Sequence, residues 1–194
     1  PAFKGYHGFP NSLCVSLNEQ VVHGIPSRKV SLREGDIVSI DFGVLYKGFY
    51  GDAAITHAVG DVDDKTIKLL KVTEDSLYKG IEKAVAGNRV NDISRAVQGQ
   101  VEQHGFSVVR QFVGHGIGSQ LHEGPEIPNY AVGGQSPRLL PGMVLAIEPM
   151  VNLGTYEVKV LKDGWTVVTC DRSPSAHFEH SVAITEDGPL VLSE

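Results

Sequence analysis

Asp41 and Asp52 each stand in the middle of an apolar, alternating run, and that placement constrains the chain more than any other feature of its sequence. Residues 36–59 (DIVSIDFGVLYKGFYGDAAITHAV) alternate in polarity and break near Lys47-Gly48, the pattern of a β-hairpin. Asp41 follows Val38-Ser39-Ile40 and precedes Phe42, while Asp52 sits between Tyr50-Gly51 and Ala53-Ala54-Ile55. A carboxylate in mid-strand is disfavoured unless it has a partner. A loop at Leu45–Gly48 pairs residue 44 with 49 and sets 41 opposite 52, so that both carboxylates converge on one face. A three-residue loop would need a bulge to restore that alignment.

Three further residues share this predicament. Glu148 closes the apolar run Met143–Ile147, and Glu179 lies between Phe178 and His180 ahead of another apolar strand. His115 sits within Gly114-His115-Gly116-Ile117-Gly118. Separate strands that each carry an inward acid do not make a solvated face. Four carboxylates and one imidazole are the donor set for two hard or borderline divalent cations held side by side, with one or two carboxylates bridging. Paired cations activate a water and clamp both ends of a hydrolytic displacement, which points to a metallohydrolase. The rival motifs fail. A phosphate-cradling glycine loop should open a helix, and Ile117–Pro125 is a poor helix. His122-Glu123 begins like a zinc-protease helix, but position 126 is Glu126 and Pro125 would break the helix, which excludes a zincin.

The rest of the chain reads as α+β. Residues 64–86 carry Ile67, Leu70, Leu77, Ile81, Ala84 and Val85 at helical spacing, with Asp63 or Asp64 as cap and Gly87 as stop. A second helix runs from about Asn91 to His104, with Ile93, Val97 and Val101 on one face. Short strands follow at 106–112, 143–149, 157–161, 166–169, 178–184 and 190–192. Helices between hairpins indicate α+β and not a doubly wound parallel sheet. The 194 residues form one domain, able to bury roughly 70% of the unfolded surface. A net charge of −6 without clustered Lys and Arg speaks against a nucleic-acid-binding face. Cys14 and Cys170 give no disulfide framework and suit a reducing compartment, and no apolar run approaches a membrane span. A cytoplasmic location is the expectation.

VVHGIP (21–26), SIDFG (39–43), YGDAA (50–54), GHGIG (114–118), LHEGP (121–125), AIEPM (146–150) and FEHS (178–181) occur in this order. Over essentially the whole chain they closely resemble the methionine aminopeptidases, specifically the short type I branch of the pita-bread (creatinase/aminopeptidase-like) fold. The 148 − 122 = 26 positions between His122 and Glu148 leave no room for the helical insertion of type II. The resemblance implies an antiparallel sheet with helices packed on one side and a dinuclear metal centre on Asp41, Asp52, His115, Glu148 and Glu179. In it Asp41 is bidentate on one ion, His115 and Glu148 bind the other, and Asp52 and Glu179 bridge. Co, Mn, Fe and Zn are all candidates for the two ions.

The same resemblance implies substrate contacts from His23 and His122, with Glu148 as proton carrier and His122 as donor to the developing oxyanion. It implies a methionine pocket walled by Tyr6, Phe9, Cys14 and Trp165. Phe3 and Leu121 stand where a Cys and a Phe are common in bacterial members. The implied activity is removal of the initiator methionine from new proteins, near the ribosome, when the second residue is small. The family also implies a helical segment ahead of PAFKGYHGFP, so residues 1–194 are expected to be a single catalytic domain lacking that segment, monomeric when it is present. Without it, cover should be lost from one sheet face and from the pocket around Phe3, Tyr6 and Phe9. The rival functions are an X-Pro peptidase of the same fold and a catalytically silent pita-bread binding domain.

Overall fold

The hairpin of residues 36–59 forms, in a register different from the expected one. In the computed structural model, which describes residues 1–194, strand Ile37–Tyr46 pairs with Phe49–Ala58 through a two-residue turn. Lys47 (φ 49°) and Gly48 (φ 86°) are both left-handed, the backbone that a tight hairpin turn of matching twist requires. Asp41 therefore lies opposite Ala54, and Asp52 opposite Gly43. A slip of two residues keeps every side chain on its own face, so the two carboxylates still project to the same side, as diagonal neighbours and not as a direct pair.

A 3-10 turn at Tyr6–Gly8 precedes the first strands, β1 (Cys14–Leu17), β2 (Gln20–Val22), β3 (Ile37–Tyr46) and β4 (Phe49–Ala58). Helices α1 (Asp64–Ile81) and α2 (Val90–Glu102) come next. Strands β5 (Ser107–Val108), β6 (Gly114–Gly116), β7 (Glu123–Ile127), β8 (Val144–Ile147) and β9 (Met150–Asn152) follow. The chain ends with β10 (Val158–Val160), β11 (Val167–Thr169), β12 (Ser175–His177), β13 (Glu179–Thr185) and β14 (Gly188–Val191). One antiparallel sheet runs β1-β3-β4-β13-β8-β6-β7 with β14 on β13, and two three-stranded sheets, β10-β11-β2 and β12-β9-β5, complete the fold.

This is the α+β, pita-bread architecture. Asp63 caps α1, accepting from the amides of Lys65 and Thr66. The helix stops at Ile81, short of residue 86, and its buried stripe differs from the expected one. Leu77, Ile81 and Ala84 are buried as expected, but Ile67 and Val85 are exposed, and Thr66, Leu69, Thr73 and Ser76 are buried in addition. Thr73 Oγ1 donates to the Leu69 carbonyl and Ser76 Oγ to that of Thr73, so small polar side chains satisfied by the helix itself occupy places that a count of apolar residues gives to others. On α2, Ile93, Val97 and Val101 are all fully buried, as expected.

Strands β1, β2, β6, β7, β9 and β12 were not anticipated. Gly114 and Gly116, on either side of His115, belong to β6. A Cβ on Gly116 would lie 2.3 Å from the Gly124 carbonyl oxygen, and one on Gly114 would lie 2.4 Å from that of Ala146, so only glycine permits the close approach of the neighbouring strands.

Both helices pack on one side of the large sheet. Leu69, Leu77, Ile93, Val97 and Val101 join Leu145, Ile147, Val182 and Ile184 in a single cluster. Alternate residues point the other way, which sends Ala146, Glu179 and Ser181 to the opposite face. Towards β3 and β4 the helix side of the sheet carries exposed Phe42, Val44 and Ile55. Of the three residues expected to lose their cover, Phe3 and Phe9 are buried, packed with Cys14, Ile117 and Leu121, and Tyr6 is half-buried against them. No helix is long and apolar enough to cross a membrane.

Leu69→Ala, at a fully buried position on the helix side, should destabilise the protein by about 2–5 kcal/mol while leaving its metal content unchanged. Denaturant unfolding together with metal analysis of the folded variant tests this separation of the two faces.

Candidate metal centre

Sheet register carries the five acidic and imidazole side chains to one place. Asp41 of β3 lies opposite Ala54 of β4, and Ala54 lies opposite Glu179 of β13. Asp52 is two residues before Ala54 on the same face. His115 of β6 faces Ala146 of β8, and Glu148 stands two residues beyond Ala146. Continuing the β8–β13 register from Ile147↔His180 sets Glu148 across from Glu179. The five residues thus come from adjacent strands or their ends, on the face away from the helices. Small residues at Ala54 and Ala146 leave room between them, and the missing side chain of Gly43 makes way for the Phe3 ring, 2.6 Å from where a Cβ would stand. Oxygen and nitrogen atoms of Asp52, His115 and Glu179 all fall within 4.8 Å of one another, and His115 Nε2 lies 3.4 Å from Glu148 Oε1.

This cluster has no basic side chain to neutralise it. The ion-pair contacts of its carboxylates are two histidines on Glu148: His115, and His177 with Nε2 3.7 Å from Oε2. Asp41 Oδ1 and Glu179 Oε1 are buried with no hydrogen-bond partner. Burial, then the repulsion of neighbouring carboxylates, holds Asp41, Glu148 and Glu179 well above the usual carboxylate range. Burial pushes Asp52 up to about 7. Buried acids without partners are costly, and their orphaned oxygens are accounted for by cations between them. His115 suits the same purpose. Burial pushes it down to about 4, keeping it neutral, and Nδ1 lies 2.9 Å from the Gly116 carbonyl oxygen. With Nδ1–H donating there, the Nε2 lone pair is free to bind a metal. The donor set fits divalent ions.

Above the carboxylates lies a pocket of about 250 Å³, smaller than the clefts of about 300–1,000 Å³ that enclose whole ligands. Asp41, Asp52, His115, Glu148, Glu179, His23, His122, Tyr6, Phe9, Cys14 and Trp165 all line it, joined by Phe3, His7 and Leu121. Phe9 meets Trp165 edge-on with ring centroids 5.1 Å apart, and Phe3 meets Phe9 likewise at 6.5 Å. The Tyr6 hydroxyl lies 2.7 Å from His122 Nδ1, and the His122 ring is 4.2 Å from that of His115. His23 adopts a left-handed backbone (φ 59°), and burial pushes its imidazole down to about 4. Burial and the nearby Asp41 raise the Cys14 thiol, so Cys14 stays a neutral wall residue.

Residues 3–186 match metallopeptidase family M24. The chain belongs to this family. Methionine aminopeptidase 1 of Bacillus subtilis is 57% identical over 193 residues, which span 100% of this chain and 77% of that protein. The crystal structure of methionine aminopeptidase from Thermotoga maritima superposes with a TM-score of 0.98 at 50% identity, covering 100% of this chain and 78% of that one. Within the family the chain stands with the bacterial type I methionine aminopeptidases, metal-dependent exopeptidases. Prolidase from Pyrococcus furiosus shares the fold, with a TM-score of 0.74 at 22% identity over 95% of this chain and 49% of that one.

Two residues at or beside the site escaped the sequence reading. His7 lines the pocket edge-on to Tyr6, with no local pattern to mark it. His177 stands two residues before Glu179, a spacing that in extended chain puts both side chains on one face; that was a usable signal.

Metal removal and acid should interact in a definite sense. Because the folded carboxylates titrate above their unfolded values, the metal-free fold holds protons that the unfolded chain has already lost. Acidifying metal-free protein from about pH 8 to about pH 5 should therefore raise its Tm, the four acids outweighing the opposing His23, His115 and His177, whose imidazoles burial keeps neutral while the unfolded chain protonates its own. The metal-loaded protein, whose acids the ions keep charged, should lose stability over the same interval as protons displace the ions. Melting both forms across that range checks the sign, and chelation at neutral pH should lower Tm.

Proposed function

We propose that this domain removes the initiator methionine from the amino terminus of newly made proteins when the second residue is small, with the roles assigned below. The observation that carries the reading is the unneutralised carboxylate cluster in a pocket of about 250 Å³ that aromatic side chains also line. Asp41, Asp52, His115, Glu148 and Glu179 would hold two divalent ions, with Mn, Fe, Co or Zn as candidates. Such ions supply Lewis acidity and an activated water at neutral pH.

The chain's own side chains bind, orient and move protons. The methionine side chain enters between Tyr6, Phe9, Cys14 and Trp165, where sulfur–aromatic contacts favour a thioether. Its free α-amine is directed to the carboxylate cluster, hence the requirement for an unblocked amino terminus. Glu148 accepts the proton of the attacking water and passes it to the leaving amine. With the Tyr6 hydroxyl donating to Nδ1, His122 carries its proton on Nε2 and donates it in a hydrogen bond to the carbonyl oxygen as negative charge develops there. His23 contacts the peptide beyond the scissile bond. The substrate is the nascent chain, met in the cytoplasm close to the ribosome. An X-Pro peptidase reading has only the shared fold behind it, and a silent binding domain would have no use for a complete donor set.

Met-Ala-Ser and Met-Gly peptides should be cleaved by metal-loaded protein, while Met-Leu and Met-Lys peptides resist and N-acetylation abolishes turnover. Efficient cleavage of acetylated or Leu-second peptides, followed by mass spectrometry, would contradict the reading. His122→Ala should lower kcat far more than it raises KM, since its contact forms mainly in the transition state, and should leave metal content intact. Loss of metal in that variant would instead make His122 part of the ion site.

A further inference from the structure

His177 is buried, its Nε2 has no hydrogen-bond partner, and it belongs to none of the roles above. Its peptide unit is clamped onto the ligand face of the sheet. Thr56 Oγ1 donates to the His177 carbonyl at 2.7 Å and accepts from the His177 amide at 2.9 Å. Thr56 shares its face of β4 with Asp52 and Ala54, so this clamp ties the histidine to the strand that supplies a metal ligand. From there the ring points at Glu148. Its Nε2 stands 3.7 Å from Oε2, while the other carboxylate oxygen, Oε1, stands 3.4 Å from His115 Nε2. Glu148 is thus held between two imidazoles, one on each oxygen.

The two imidazoles have different surroundings. His115 has its ligand atom within 4.8 Å of those of Asp52 and Glu179, inside the donor cluster. His177 is not in that group, and Glu148 is the one carboxylate with which it makes an ion-pair contact. An isolated buried Nε2 just beyond hydrogen-bond reach of a carboxylate oxygen needs only a small side-chain rotation to be satisfied.

We propose that His177 is a positioning residue for Glu148, its Nε2–H donating to Oε2 so that Oε1, on the His115 side, is the oxygen presented to the ions. The inference rests on the assignment of Glu148 as ligand and proton carrier. A carboxylate fixed through one oxygen cannot rotate to offer both to a cation, and its second oxygen stays oriented for proton transfer. Partners of this kind, one step removed from the ion, change metal affinity or activity by about 10- to 100-fold when lost. Glutamine is the fitting conservative replacement, because its amide nitrogen can occupy nearly the position of Nε2 and donate the same bond.

The test compares wild type, His177→Gln and His177→Leu. Calorimetric titration of each metal-free protein with Co²⁺ is set beside kcat and KM for Met-Ala-Ser at saturating Co²⁺. His177→Leu should lose about 10- to 100-fold in affinity for one ion and in kcat, with KM changed little, and His177→Gln should recover most of both. Wild-type affinity and kcat in folded His177→Leu would overturn the proposal. A measurement on the unaltered protein stands independently of how the variants fold. ¹⁵N NMR of the Zn²⁺-loaded wild type should show His177 protonated at Nε2. An unprotonated Nε2 whose resonance moves on Zn²⁺ binding would make His177 a ligand and overturn its positioning role. Failure of the underlying assignment looks different, since a wild type that binds no Co²⁺ and leaves Met-Ala-Ser uncut fails before any variant is compared.

Discussion

Four carboxylates face one another across this sheet with two imidazoles and no lysine or arginine against them, and their repulsion is the force that the surrounding structure has to contain. Exposed acids could turn away into water. Buried ones, fixed to neighbouring strands by backbone hydrogen bonds, cannot. The sheet therefore acts as a clamp that holds these acids at ligand spacing until cations replace their protons, a preorganisation that a loop-borne site would not achieve. Ala54 and Ala146 occupy same-face positions among the acids, where larger side chains would crowd the space that the ions need.

Strand alternation then separates two functions within a single layer. Ile147 and Glu148 are consecutive, yet one enters the helix-backed core and the other the polar cluster. The same holds across β13, where Val182 and Ile184 pack beneath the helices while Glu179 lines the pocket and Ser181, on the same face, bonds the backbone of Asp52. Apolar burial stabilises one side of the sheet and offsets the electrostatic cost stored on the other.

How much of this was legible in the sequence follows from what each signal physically is. Asp41, Asp52, Glu148 and Glu179 stood out because a charge inside an apolar strand has few explanations. Their faces could be inferred, but not the hairpin register, because lysine at position 47 does not advertise the left-handed backbone that it adopts. The buried stripe of α1 was obscured because Thr73 and Ser76 satisfy their own hydroxyls and so behave as core residues. Strand β6 was hidden by its composition, as Gly-His-Gly carries no alternation of polarity to read. The pocket walls, Tyr6, Phe9, Cys14 and Trp165, came from family resemblance alone, since nothing in their local pattern separates them from ordinary core.

Asp41 and Glu179 are separated by 179 − 41 = 138 positions in sequence, yet only Ala54 stands between them across the sheet. An ion shared by such residues is a cross-link between distant parts of the chain, comparable in topology to a disulfide closing a very long loop. Unlike a disulfide it is dissociable, and its strength follows the free-metal concentration by mass action. The centre of the sheet, ordinarily the most rigid part of such a fold, is thereby the part whose integrity is most directly set by the supply of metal around it.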